Sequence, residues 1–190
     1  MKKRPTITFN SPVILGFVLI CFIVTLLGIL TGDRSTKLLF MTYRSSFKDP
    51  LMYLRLFTHI FGHSGWSHFI GNATYLLLLG PMLEEKYGAR ILIEIIAITA
   101  VVTALIHLIF FPGVALCGAS GVVFAVIVLA SFTGFREGEI PLTFILVVVI
   151  FIGQQVVEGL TIRDDISNTG HIIGGAIGAF MGYILNRKNV

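Results

Sequence analysis

Charge is what this sequence has least of. Only 13% of its 190 residues are Asp, Glu, Lys or Arg, while 55% are hydrophobic, and the mean hydropathy is +0.91. A water-facing domain carries roughly 25% charged residues, so about half of the usual polar coat is missing and a soluble globular fold is excluded. Cysteine is also nearly absent. Cys21 and Cys117 fall in or beside apolar segments, which excludes a disulfide framework and leaves both as packing residues. No Ser/Pro-rich linker divides the chain, so residues 1–190 read as a single membrane domain. The net charge of +4 is scattered. Without a basic stripe or aromatic–basic interleaving it excludes nucleic acid as a partner and leaves anionic lipid headgroups for the basic residues to meet.

What the chain has instead is long apolar runs, at about 12–32, 64–83, 90–111, 118–135, 140–157 and 169–186. About 20 apolar residues cross about 30 Å of hydrocarbon as a helix, and these runs are too long for barrel strands. The expected fold is an all-α polytopic membrane protein, a six-transmembrane-helix bundle, with a short N-terminus (1–11) and a long first loop (about 33–63). The first run follows Lys2, Lys3 and Arg4 but is longer than a signal-peptide core, and "LTGDRSTK" offers no small-x-small cleavage site, so it reads as a retained span. With the N-terminus inside, eight Lys/Arg residues (2, 3, 4, 86, 90, 136, 187, 188) face the cytoplasm and six (34, 37, 44, 48, 55, 163) the other side. Five of those six lie in the one long loop, so both termini are expected in the cytoplasm. The second half of that loop, "LMYLRLFTHIFGHSGWSH", is amphipathic and aromatic, as a segment lying in the interface should be.

Polar residues within spans are costly and raise a functional question. Ser120 is 16 residues from Arg136, His171 is 16 from Arg187 and His68 is 16 from Glu84. At about 1.5 Å per residue, each lies about 24 Å above the inner boundary, several Å below the outer surface. Depth alone does not select a site, because His107, 17 residues from Arg90, reaches the same level. It reads as a structural or interfacial histidine. Local pattern has to discriminate. His68 and Asn72 share a helix face at i,i+4 spacing. They could donate together to a developing oxyanion, or simply bond between helices. Ser120, in "LCGASGVVFAV", opens a span between Gly118 and Gly121. There the backbone N–H groups lack intrahelical partners and carry the positive end of the dipole. A nucleophile and a packing serine both fit that pattern. In "NTGHIIGGAIGAFMGY", Gly170, Gly174, Gly178 and Gly182 recur every four residues beside His171, with Gly175 one turn beyond the histidine. If this flat seam meets the start of the fourth span, His171 can take the Ser120 proton and later protonate a leaving amine. No Asp or Glu lies deep in a span, and Asp164 and Asp165 sit in the loop before the sixth, so the economical proposal is a Ser–His dyad.

Taken in order, "HSGWSHFIGN", "GASG" and "GHIIGGAIGAFMG" closely resemble the rhomboid intramembrane serine proteases, over about Leu54–Leu185. The resemblance implies Ser120 as nucleophile and His171 as its base. It implies an oxyanion site of His68, Asn72 and the Ser120 backbone N–H, with Gly118 in the same backbone region. Phe124, where the family often has a tyrosine, would keep an aromatic face on the histidine without the hydroxyl. "RLFTHIFGH" resembles the family's first-loop segment, in which Arg55, His59 and His63 would organise the loop, with Leu54 where a tryptophan often stands. Gly121 and Gly175 would support the close packing. By the same resemblance the protein would be a compact bacterial six-span form in the plasma membrane, without a large soluble domain or seventh span. It would cleave other membrane proteins in or beside their transmembrane segments, with "IPLTFILVVVIFIGQQ" and the following loop as candidates for a lateral gate. Its partners would be transmembrane substrates and the lipid bilayer, and no cofactor is expected.

A metalloprotease would need a glutamate after the first histidine of the His59/His63 pair, and Ile60 stands there. No carboxylate or cysteine ligand set accompanies it, so no metal is expected. A non-catalytic relative that only binds membrane clients would usually lack the serine or the histidine, and both are present. A transporter would want charged pairs or broken helices near the midplane.

Overall fold

The computed structural model describes residues 7–134, 139–154, 157 and 168–187. Helix α1 covers Pro12–Leu30, α2 Arg34–Leu39, α3 Pro50–Thr58, α4 Trp66–Tyr87, α5 Ala89–Phe110, α6 Ser120–Ser131, α7 Leu142–Val147 and α8 Asn168–Arg187. A π-turn, Val148–Ile152, prolongs α7, and His59–Phe61 and Phe132–Gly134 form short 3₁₀ turns. Each apolar run thus contains a helix, although among the described residues the fifth holds only the six-residue α7 and its π-turn before the short piece at 153–154. Two of the helices, α1 and α5, are long and apolar enough to cross a membrane. Among the described residues there is no sheet, only the isolated antiparallel bridge Thr42–Leu116.

The helix ends follow from local chemistry. Pro12 and Pro50 occupy the first positions of α1 and α3, where a missing N–H costs nothing. Asp49 caps α3 by accepting the Leu51 N–H at 3.0 Å. Gly88, at φ 86°, stops α4 and starts α5 in one residue, a conformation that favours glycine. The start of α1 is capped from a distance. Glu84, buried near the end of α4, accepts the Ser11 hydroxyl and the N–H groups of Val13 (3.0 Å) and Ile14 (3.1 Å). A carboxylate on free N–H groups at the positive end of a helix is favourable. It also clamps α1 to α4, where Ile14 packs against Gly80.

Helix α6 is the axis of the bundle. Every residue from Gly121 to Leu129 is buried, enclosed by α4, α5, α7 and α8. The outer faces are apolar instead, with Leu78, Ile93, Ile109 and Val149 exposed. A core inside an apolar exterior is the arrangement for a protein whose surroundings are lipid.

The connection from α2 to α4 is ordered around Arg55, which is 2% exposed. Its guanidinium donates to Asp49 (2.6 Å), Tyr43 Oη (2.7 Å), Ser45 Oγ (3.1 Å) and the Leu38 carbonyl (3.3 Å). It also lies 4.3 Å from the Tyr43 ring centroid. Desolvation raises the Asp49 carboxyl, but the Leu51 amide, the Ser45 hydroxyl and Arg55 outweigh it and hold it below 3.8. Burial pushes His59 down to about 3, helped by His107. Burial and then His68 push His63 down to about 4, against a bond to the Phe61 carbonyl. Both imidazoles are therefore neutral in the fold and charge on unfolding. Their contribution is complete above the unfolded value of about 6.5 and is lost as pH falls toward 4 and then 3. Asp49 acts in the same sense at still lower pH. The expected loss at pH 5 is up to about 2 kcal/mol per histidine. It should appear as a falling thermal midpoint in detergent between pH 7.5 and 5, and a flat or rising midpoint would contradict it.

Candidate active site

Ser120 is the first residue of α6. The first intrahelical bond there is Val123 N–H to Ala119 O, at 2.9 Å. The N–H groups of Ser120, Gly121 and Val122 therefore have no acceptor within the helix. Ser120 is half-buried, and a cavity of about 10 Å³ lies against it, walled by His59, Thr99, Thr103, Gly118 and Gly170 among others. That is about the room one water molecule needs.

His171 stands in the first turn of α8 and is 8% exposed. What brings it to α6 is the glycine seam. A Cβ at Gly174 would lie 2.8 Å from the carbonyl carbon of Gly121, and one at Gly178 would lie 2.9 Å from that of Ala125. Each step of four along α8 thus meets a step of four along α6, and the two helices run the same way. One turn earlier, the Gly170 carbonyl oxygen is 3.4 Å from a Cβ built on Gly121. His171 is consequently level with the first turn of α6. Its ring stacks on Phe124, one turn after Ser120, with centroids 4.5 Å apart and planes within 5°. Phe151 of the π-turn meets Phe124 edge-on at 6.0 Å, and Tyr75 of α4 meets Phe151 in the same way at 6.4 Å. Gly175 is buried as well.

His68, in the first turn of α4, faces Gly118. A Cβ at Gly118 would lie 2.7 Å from His68 Cε1 and 2.8 Å from Nε2. The Ser64 backbone N–H points at His68 Nδ1 (3.5 Å), with the Ser64 hydroxyl 3.2 Å from the same atom. Since a backbone N–H only donates, Nδ1 is the accepting nitrogen, and the neutral ring carries its proton on Nε2. The group facing Gly118 is therefore a donor. Asn72, one turn later on the same helix, is buried, and its Nδ2 has no acceptor among the described residues.

Gly118 has φ 127°, where L side chains are strained, and its N–H donates to the His59 carbonyl at 3.0 Å. Gly118→Ala should combine backbone strain of about 1–3 kcal/mol with displacement of the His68 ring. The expected result is a lowered thermal midpoint in a protein that stays helical by circular dichroism. A midpoint equal to that of wild type would mean that the alanine is accommodated without moving the His68 ring.

Sequence reasoning did not find Glu84 as a cap, the Tyr43–Ser45–Asp49 partners of Arg55, or the Thr42–Leu116 pairing. The first and the last join segments more than 70 residues apart, the Arg55 partners lie in an irregular stretch 6 to 12 residues before it, and none of them leaves a periodic signal. His107 is buried at the end of α5, with Nε2 2.9 Å from the Val114 carbonyl. Among the described residues no group of three His, Cys, Asp or Glu side chains is placed to hold a metal ion. Asp164, Asp165 and most of the loop after the fifth apolar run lie outside the described residues.

An all-helical bundle with a serine at the buried start of its central helix and a histidine on the adjoining glycine seam defines the class. The family model for the rhomboid domain matches residues 50–188, and the chain belongs to the rhomboid family, whose members are integral membrane proteins. It is similar to the rhomboid protease GlpG of Salmonella typhi and to that of Salmonella newport (strain SL254). Each is 28% identical over 179 residues, covering 92% of this chain and 63% of the relative's own length.

Proposed function

We propose that the protein is an intramembrane serine endopeptidase that cuts transmembrane proteins in or beside their membrane segments. The observation that carries this reading is the parallel α6–α8 seam, which sets His171 on Phe124 one turn from Ser120. In the proposed reaction Ser120 Oγ attacks the scissile carbonyl while His171 takes its proton. The carbonyl oxygen becomes an oxyanion that accepts from the Ser120 N–H, His68 Nε2–H and Asn72 Nδ2–H. His171 then protonates the departing amine. A water deprotonated by His171 releases the acyl group in the reverse sense. The six helices α1, α4, α5, α6, α7 and α8 are the six spans of this reading, with both termini in the cytoplasm of a bacterial plasma membrane. Helix α6 has only 12 residues, or about 18 Å. A segment that short does not cover about 30 Å of hydrocarbon, which supports a Ser120 lying below the outer surface in a cavity open to that side.

A fluorophosphonate probe should label the purified protein, and peptide mass spectrometry should place the adduct on Ser120. A reconstituted transmembrane substrate should be cut, and a chelator should leave the cutting unchanged. A folded protein that neither reacts with the probe nor cuts any transmembrane substrate would instead be a client-binding member of the family. Chelator-sensitive cutting would indicate a metalloenzyme.

A further inference from the structure

Ser120 is reached through an irregular connection, residues 111–119, that begins at the end of α5. A nucleophile and its backbone donor are only as well placed as the segment leading into them. This one is fastened at alternate residues. The Val114 carbonyl lies 2.9 Å from His107 Nε2. Leu116 exchanges both backbone bonds with Thr42, each 2.9 Å. The Gly118 N–H donates to the His59 carbonyl at 3.0 Å. The three ties act on one short segment, a rail that ends at Gly118 and Ser120. Two of the ties are backbone to backbone. The third comes from a side chain.

Because a carbonyl only accepts, His107 Nε2 must be the protonated nitrogen. The ring has little freedom to leave. It is 3% exposed, and Phe111, at the far side of the turn, stacks on it with centroids 5.6 Å apart and planes 29° apart. A further bond, Val114 N–H to Phe111 O at 3.1 Å, makes residues 111–114 a closed turn hung from His107. The neighbouring ties are made by the backbone of Thr42 and His59, not by His107, so its loss should loosen the rail without dismantling the bundle.

We infer that His107 is a positioning residue of the proposed protease. Its Nε2–H bond to Val114 holds the 111–118 rail in register and thereby aims Gly118 and the Ser120 N–H. The inference rests on the protease reading. It assigns His107 no contact with substrate and no proton transfer.

The test compares wild type, His107→Leu and His107→Gln for fluorophosphonate labelling rate and for kcat and KM on one reconstituted transmembrane substrate. Rates are normalised to folded protein. Leucine fills the space without a donor, whereas glutamine returns an N–H at similar reach. His107→Leu should label and turn over about tenfold or more slowly, because about 1 Å of misplacement can cost up to about 10²-fold. KM should be little changed, and His107→Gln should recover most of the rate. Nitrogen-15 spectra of histidine-labelled wild type should show His107 protonated at Nε2, a readout independent of turnover. Wild-type kcat in His107→Leu, a glutamine variant as slow as the leucine one, or a ring protonated only at Nδ1 would overturn the inference alone. A wild-type protein that the probe does not label would overturn the protease reading, and this inference with it.

Discussion

Ser120→Ala and His171→Ala should each lower turnover of a reconstituted transmembrane substrate by at least about 10⁴-fold, and the double variant should be no slower than either single one. The reason is that in the proposed reaction nucleophile and base serve one proton transfer. Without His171 the Ser120 hydroxyl keeps its proton and attacks poorly, and without Ser120 the imidazole has nothing to activate. Two residues acting independently would multiply their losses, whereas two acting as a unit should not. Residual turnover would come from the donors around the oxyanion position, which neither substitution removes. The measurement is single-turnover cleavage by variants whose thermal midpoints match wild type. Retention of more than a few per cent of the rate by His171→Ala would remove it as base. A double variant slower than both singles by the product of their factors would separate the two residues into independent roles.

Some of this arrangement is legible without coordinates, because it is periodic. Gly174, Gly178 and Gly182 repeat every four residues, and a helix turns a four-residue repeat into a face. In the structure that face rests on the Gly121 and Ala125 backbone and on the Phe132 ring. The apolar runs mark the helices for the same reason. What the pattern leaves open is anything that joins distant segments by single bonds. Glu84 looks like a boundary charge at the end of an apolar run, yet it is buried and caps α1 from 70 residues away along the chain. Depth counting puts His107 level with Ser120, His68 and His171 but cannot show that its ring turns to Val114 rather than into the cavity. The bridge between Thr42 and Leu116 involves backbone atoms alone, so no side chain announces it. Gly118 and Gly121 flank the serine alike in sequence and serve differently. Gly118 is needed for a backbone angle of 127° and for the His68 ring, while Gly121 receives another helix.

The glycine seam carries the second large effect. A methyl at position 174 would lie inside van der Waals contact of the Gly121 carbonyl, 2.8 Å from its carbon and 3.0 Å from its Cα. A methyl at 178 would meet Ala125 similarly, at 2.9 Å from both its C and its Cα. The obstacle in each case is backbone of the buried stretch Gly121–Leu129, which no rotamer change relieves, so α8 must move away from α6 as a body. Overpacking of this kind costs about 1–3 kcal/mol per site, outweighing the roughly 1 kcal/mol that alanine gains over glycine within a helix. Gly174→Ala and Gly178→Ala should therefore both lower the thermal midpoint. Their effects on turnover should differ. Gly174 is three residues from His171 and level with Ser120, so moving it displaces the proposed base. A shift of about 1 Å there costs up to about 10²-fold. Gly178 is a turn deeper, and tilting about the upper contact spares the site, so its turnover loss should be several-fold smaller at equal destabilisation. Gly16→Ala supplies the control, since a Cβ there meets nothing within 4 Å and α1 should simply gain helix stability. Equal turnover losses at 174 and 178 would mean that the seam acts through global stability alone. Unchanged stability at both would mean that α6 and α8 do not pack backbone to backbone.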